Sequence, residues 1–195
     1  VPEALTPNDV LFNPLPTFHC FGLTAGALLP ILGGMKAVFH PSPLQVKEIP
    51  KRIEQTDSTI LFATDTFLSQ YTRASSGEEL GKLRFAVCGA ERVKDETRQL
   101  VKRKCSLEIL EGYGATEASP VIAVNQPSDN RHGSVGKALP GMELEFEPVQ
   151  GINDAGRMKV RGPNVMTGYL KSDQPGVIHP LEDGWHDTGD VVNED

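Results

Sequence analysis

The chain has 195 residues, 38% of them hydrophobic and 23% charged, which excludes a disordered chain and leaves room for one large domain or one ordinary domain and part of another. A formal charge of -7 excludes a general nucleic-acid surface, which is basic. The longest basic run, Lys102-Arg103-Lys104, fans around a helix axis and reads as solvated surface.

In chain order, Val1-Pro2-Glu3 carries no basic n-region, so no signal peptide is expected, and the abrupt beginning and end read as an excised piece of a longer protein. Residues 10–13 read as a strand, followed by a loop over 14–22. Residues 21–40 are apolar and about long enough to span a membrane, but they contain Pro30, Gly33-Gly34 and Lys36. The better reading is a buried helix over 23–32, a glycine stop and a strand over 37–39. Helices follow over 49–55, 66–73 and 94–104, the last with Val93, Thr97, Leu100 and Val101 on one side. Between them, residues 59–63, 83–88 and 107–110 are strands without polar alternation. That pattern predicts an α/β fold, a mostly parallel sheet with helices on both faces.

After about Gln126 the pattern changes to short strand-like runs (133–141, 142–147, 156–162, 165–170) separated by Gly, Pro, Asn and Asp. A small antiparallel sheet or barrel is expected there. The predicted division is therefore an α/β subdomain over 1–126 and a β-rich subdomain over 127–195. Cys20, Cys88 and Cys105 are odd in number and lack C-x-x-C spacing, which suits packed, reduced thiols and a cytoplasmic setting.

Four stretches carry chemistry. Glu111-Gly112-Tyr113-Gly114-Ala115-Thr116-Glu117 follows an apolar strand. Glycines let backbone approach a ligand, a Tyr ring can lie on a base, a Thr hydroxyl can donate to phosphate, and a Glu can hold Mg²⁺. The same spacing also forms a plain strand-to-helix turn with Thr116 as N-cap. Gly89-Ala90-Glu91 follows the preceding strand, so the two glycine turns can wall one crevice at the carboxyl ends of parallel strands. In Trp185-His186-Asp187-Thr188-Gly189-Asp190, a carboxylate at the end of a turn can accept both ribose hydroxyls; Asp190 is the candidate, with Asp187 as a structural carboxylate. Pro16-Thr17-Phe18-His19-Cys20-Phe21-Gly22 places a His between Phe residues, where it lines an apolar tunnel or simply packs. A His19/Cys20 nucleophilic pair is not expected, because adjacent side chains of an extended loop point apart. No P-loop, no G-x-G-x-x-G after a strand and no i, i+4 zinc pair of His occurs.

In this order the stretches 15–22, 89–91, 113–117, 133–141, 156–170 and 184–190 resemble the adenylate-forming (AMP-binding) acyl-activating enzymes, over essentially the whole chain. Within them, His40-Pro41-Ser42-Pro43-Leu44 and the run 110–125 look closest to the acyl-ACP synthetases of phospholipid acyl recycling. The resemblance implies part of the large N-terminal domain and a two-step reaction. A fatty acid displaces pyrophosphate from ATP, and the acyl-adenylate then acylates a phosphopantetheine thiol of acyl carrier protein or CoA.

By position, Gly89, Ala90, Glu91, Gly112, Tyr113 and Gly114 would hold the adenine side of ATP or AMP. Thr116 would bond the α-phosphate, Glu117 would hold Mg²⁺, Asp190 would take the ribose, and His19 would sit where acid and thiol meet. The family's phosphate loop lies upstream and its mobile C-terminal domain downstream, so the piece alone is expected to be inactive. The resemblance places the parent in the cytoplasm or on the cytoplasmic face of the inner membrane. The H-x-x-x-x-D pattern of glycerolipid acyltransferases is missing, since His179–Asp183 and His186–Asp190 are each one residue short. Two other classes stay open: an acyl- or aryl-CoA ligase, and a non-catalytic nucleotide-binding or docking module.

Overall fold

A computed structural model describes residues 5–194; Val1-Pro2-Glu3, read above for a leader, and Asp195 lie outside the described residues. By contacts the chain forms two units, Val1–Gly114 with Ala123–Lys137, and Ala115–Ile122 with Ala138–Asp195.

The first unit begins with β1 (Val10–Asn13), a π-helix (Phe21–Leu28) that runs into α1 (Leu29–Leu32), and β2 (Lys36–Phe39). There follow α2 (Glu48–Gln55), β3 (Ile60–Ala63), α3 (Asp65–Ala74), β4 (Phe85–Cys88), α4 (Asp95–Cys105) and β5 (Glu108–Gly114). With β6 (Val121–Val124) and β7 (Lys137–Ala138) the strands form one sheet ordered β2-β1-β3-β4-β5-β6-β7. The β1–β2, β1–β3, β3–β4 and β4–β5 pairs are parallel.

The unbroken apolarity of these strands has a direct cause, because side chains alternate between two buried faces. Phe12, Leu61, Ala63, Ala86, Cys88 and Ile109 pack with Ile49, Ile53, Leu68, Tyr71 and Val101 of α2, α3 and α4. Leu11, Ile60, Phe62, Phe85 and Leu110 pack with Leu15 and Ala25, and with Phe21 and Leu29 at the margin.

Two boundaries differ from expectation. The helix expected to be buried over 23–32 starts at Phe21, takes the wider π turn for its first eight residues, and is buried on one side only, with Leu23, Leu28, Ile31 and Leu32 exposed. Fully buried Asn13 donates its Nδ2 to the Gly22 carbonyl at 3.1 Å and accepts from Leu15 N–H at 3.1 Å. A side chain of another element thus engages a carbonyl in the first turn of the π-helix. Gly26 makes room for it, since a Cβ there would lie 2.2 Å from Asn13 Nδ2. The last strand of the α/β series, expected to end at Leu110, continues to Gly114. Polarity at Glu111 masks the continuation, yet Glu111 is buried, paired with the Arg98 guanidinium, and its carbonyl accepts from Asn125 N–H at 2.9 Å. The polar loop after β6 is stitched to the same strand, because Asn125 Nδ2 donates to Glu111 O and Ser134 O and Asn130 Nδ2 donates to Ile109 O.

Asp9, just before β1, is buried and accepts from Arg84, Thr59 and Thr6. Burial opposes its charge, but these donors outweigh that cost and hold its carboxyl below the usual carboxylate range. A depressed folded pKa stabilises above the unfolded value, near 4, and the benefit is lost as pH falls through the folded value. Asp9→Asn is therefore expected to cost about 1.5–3 kcal/mol at pH 7, with the gap to wild type closing at low pH. Urea midpoints measured across pH check it; a pH-independent gap would refute the ionic account.

The second unit contains a 3₁₀ turn (Thr116–Ala118), β8 (Glu143–Pro148), β9 (Gly156–Arg161), β10 (Gly168–Leu170), β11 (Ile178–Pro180) and β12 (His186–Val192). β8, β9 and β12 form an antiparallel sheet ordered β12-β9-β8, and β10 pairs antiparallel with β11. The expected antiparallel structure is thus present as two small sheets, with β11 and β12 lacking the apolar runs by which strands are read. Among the described residues no helix is long and apolar enough to cross a membrane.

Candidate functional site

In the first unit the register Cys88↔Glu111 carries the chain out of β4 and along β5 side by side. Gly89 is buried there: a Cβ on it would meet the Phe21 ring at 3.2 Å and Gly112 O at 3.6 Å. The two glycine segments are therefore neighbours, although Gly112, Tyr113 and Gly114 lie in the strand rather than in a turn after it. Ala90 stands at φ 65°, a left-handed conformation uncommon for a residue with a Cβ. The Glu91 carboxylate accepts from Thr66 N at 3.0 Å and Thr66 Oγ1 at 2.7 Å, at the first turn of α3. Burial raises its pKa, but the Thr66 bonds, with Thr64 and Lys94, outweigh that and the net shift is downward. What the 89–91 segment offers a ligand is thus its backbone. Tyr113 is half-buried and Gly114 exposed.

His19 is exposed, and its Nδ1 accepts from Phe21 N–H at 3.2 Å, so the neutral ring carries its proton on Nε2. Cys20 Sγ comes within 4.0 Å of the same Nδ1. The expectation that the two side chains diverge does not hold, because Cys20 is already helical, at φ -54° and ψ -36°. Nδ1 thus faces both the Phe21 N–H at the helix start and the Cys20 thiol.

In the second unit Thr116 and Glu117 open the 3₁₀ turn; Ala115, not Thr116, is its N-cap and makes no side-chain cap bond. Glu117 is part-exposed, its Oε1 accepts from Tyr169 OH at 3.0 Å, and its Oε2 lies 3.9 Å from Nε2 of buried His186. Its own backbone N–H, foremost, then Tyr169 and His186, lower its pKa against the opposing effect of burial. Glu117 is therefore an ionised carboxylate with one oxygen held by a donor.

Asp190 lies four residues beyond His186, on a bulge in β12 rather than at the end of a turn. Asp187 pairs with Lys159 and Val191 with Arg157, so β12 has two more residues than β9 between these pairs. Gly189 at φ 76° allows the excursion, and Asp190 N–H donates to Thr188 Oγ1 at 3.2 Å. Asp187 is the structural carboxylate expected, accepting from Gly189 N–H at 2.9 Å and Arg157 Nε at 2.8 Å.

The sequence reading gave Tyr169 and His186 no site role, although both lie in stretches it singled out, 156–170 and 184–190. Among the described residues no group of three or more His, Cys, Asp or Glu could hold a metal. A lone ionised Glu117 nevertheless fits Mg²⁺, which characteristically takes one or two carboxylates and completes its shell with substrate phosphates and water.

Residues 1–170 match the family model described as AMP-binding enzyme. The long-chain-fatty-acid–CoA ligase of Yersinia pestis is 29% identical, covering 96% of this chain and 34% of that protein. The 3-[(3aS,4S,7aS)-7a-methyl-1,5-dioxo-octahydro-1H-inden-4-yl]propanoyl:CoA ligase of Rhodococcus jostii is 32% identical, covering 94% of this chain and 35% of that protein. Among solved structures, O-succinylbenzoate coenzyme A synthetase (MenE) from Bacillus subtilis, in complex with ATP and magnesium ion, matches with a TM-score of 0.79. It is 25% identical over 98% of this chain and 40% of that one. The chain spans about a third of the length of the curated relatives it matches. It belongs to the AMP-binding enzyme family.

Proposed function

We propose that this chain is part of an ATP-dependent acid–thiol ligase that activates a fatty acid. The observation that carries the reading is Glu117, a pre-placed ionised carboxylate directly after Thr116 in the Tyr113-Gly114-Ala115-Thr116-Glu117 run. In the first step an acid oxygen bonds the α-phosphorus of ATP and the bond to pyrophosphate breaks. In the second, a thiol sulfur bonds the acyl carbon and AMP leaves.

In this reading the 89–91 backbone and the Tyr113 ring bind adenine, with Gly112 and Gly114 giving it access. Thr116 donates to the α-phosphate, and Asp190 accepts the ribose hydroxyls. Glu117 holds Mg²⁺, which when bound supplies positive charge against phosphoryl oxygens. His19 borders the acid and the thiol. Residues 17–21 (Thr-Phe-His-Cys-Phe) offer no carboxylate for a substrate ammonium, which favours a fatty or aryl acid over an amino acid.

The run 110–125 supports acyl carrier protein as acceptor, as in the acyl-ACP synthetase part of bifunctional 2-acylglycerophosphoethanolamine acyltransferase/acyl-ACP synthetase. That likeness also suggests phospholipid acyl recycling at the cytoplasmic face of the inner membrane. The CoA ligases among the relatives support CoA.

ATP–pyrophosphate exchange by the full-length protein tests the reading. Exchange is expected with long-chain fatty acids and not with amino acids, followed by thioester formation with holo-carrier protein or CoA. Nucleotide binding without exchange for any carboxylic acid would instead support a non-catalytic module.

A further inference from the structure

The Thr116–Ala118 turn is gripped by one downstream segment of its own unit. Asn164 Nδ2 donates to Ala118 O at 2.6 Å and to Val121 O at 2.9 Å, tying the end of the turn to the start of β6. Met166 N–H donates to Glu117 O at 2.7 Å, which sets the backbone of the carboxylate residue itself. Tyr169 OH then donates to Glu117 Oε1 at 3.0 Å. Backbone and side chain of Glu117 are thus both held from residues 164–169.

Tyr169 is anchored in turn. It pairs with His179 across β10 and β11, and a Cβ at neighbouring Gly168 would lie 2.1 Å from His179 O. Yet Tyr169 is 44% exposed, so packing does not require its hydroxyl to face Glu117; water would serve that group equally well.

Resting on the reading that Glu117 holds a divalent cation, we infer that Tyr169 is a positioning residue for it. The phenol fixes the carboxylate rotation by occupying Oε1 and presents Oε2 to the ion. Mg²⁺ tolerates little deviation from octahedral geometry, so a preset oxygen matters, as hydrogen-bonded partners of ligating groups generally do.

The test uses the full-length protein with a non-hydrolysable ATP analogue, free Mn²⁺ being read by electron paramagnetic resonance. Tyr169→Phe keeps the ring and removes only the hydroxyl. It is expected to weaken Mn²⁺ binding about tenfold while leaving the thermal midpoint and the KM for fatty acid unchanged. Glu117→Gln should weaken Mn²⁺ at least as much, and the double variant no further than Glu117→Gln alone. Wild-type Mn²⁺ affinity in Tyr169→Phe, alone or with a lowered thermal midpoint, overturns the inference while a defective Glu117→Gln preserves the reading beneath it. Wild-type Mn²⁺ affinity in Glu117→Gln overturns both.

Discussion

Glu117→Gln in the full-length protein is expected to slow acid-dependent pyrophosphate exchange by about 10²–10³-fold, the usual cost of removing one preorganised electrostatic group. The change is nearly isosteric. Gln keeps an oxygen for Tyr169 OH and leaves the Met166 N–H bond to residue 117 O untouched, so the turn retains its shape. What disappears is the negative charge that residue 117 presents beside Thr116. The expected kinetic signature is a fall in kcat, because charge on the pentacoordinate phosphorus peaks in the transition state, together with a raised Mg²⁺ requirement. Steady-state rates at graded Mg²⁺ read both. An unchanged rate would remove Glu117 from the chemistry and favour the non-catalytic reading.

The largest stability effect is expected at Arg98. Glu111 is 4% exposed, its Oε1 meets the Arg98 guanidinium, and its Oε2 accepts from Val93 N–H at 3.0 Å. Arg98→Ala leaves an anion inside the fold with a single amide donor, a loss of about 3–5 kcal/mol. The urea midpoint of the chain, followed by circular dichroism, should fall accordingly. Adding Glu111→Gln should recover part of the loss, because the uncompensated charge goes while Val93 N–H keeps an acceptor. A loss under about 1 kcal/mol would mean that water already solvates the pair.

The same pair explains where sequence reading stopped short. Ile60–Ala63 and Phe85–Cys88 announce themselves because every residue is apolar or small, and burial on two faces leaves no other way to fill them. Strand β5 does not, since its fourth residue is a carboxylate whose burial depends on a partner ten or more positions upstream, invisible to any local window. The helix at Phe21 was legible in place but not in kind, because apolar content carries no mark of π geometry and the Asn13 bond to its first turn comes from another element. Thr116, Glu117 and Asp190 were singled out as candidates by motif and chemical type. Tyr169 and His186 were not, since their roles come from tertiary contact with Glu117 and their spacing carries no period.

The excursion in β12 has a consequence for how this stretch tolerates change. Two additional residues, an even number, leave His186 and the strand beyond Asp190 on their proper sides. Losing or gaining one residue between Asp187 and Val191 would invert the sidedness of everything downstream, whereas swapping the bulge's chemistry at fixed length would not. The constraint on this stretch is thus one of parity, and insertions there should be accommodated in pairs.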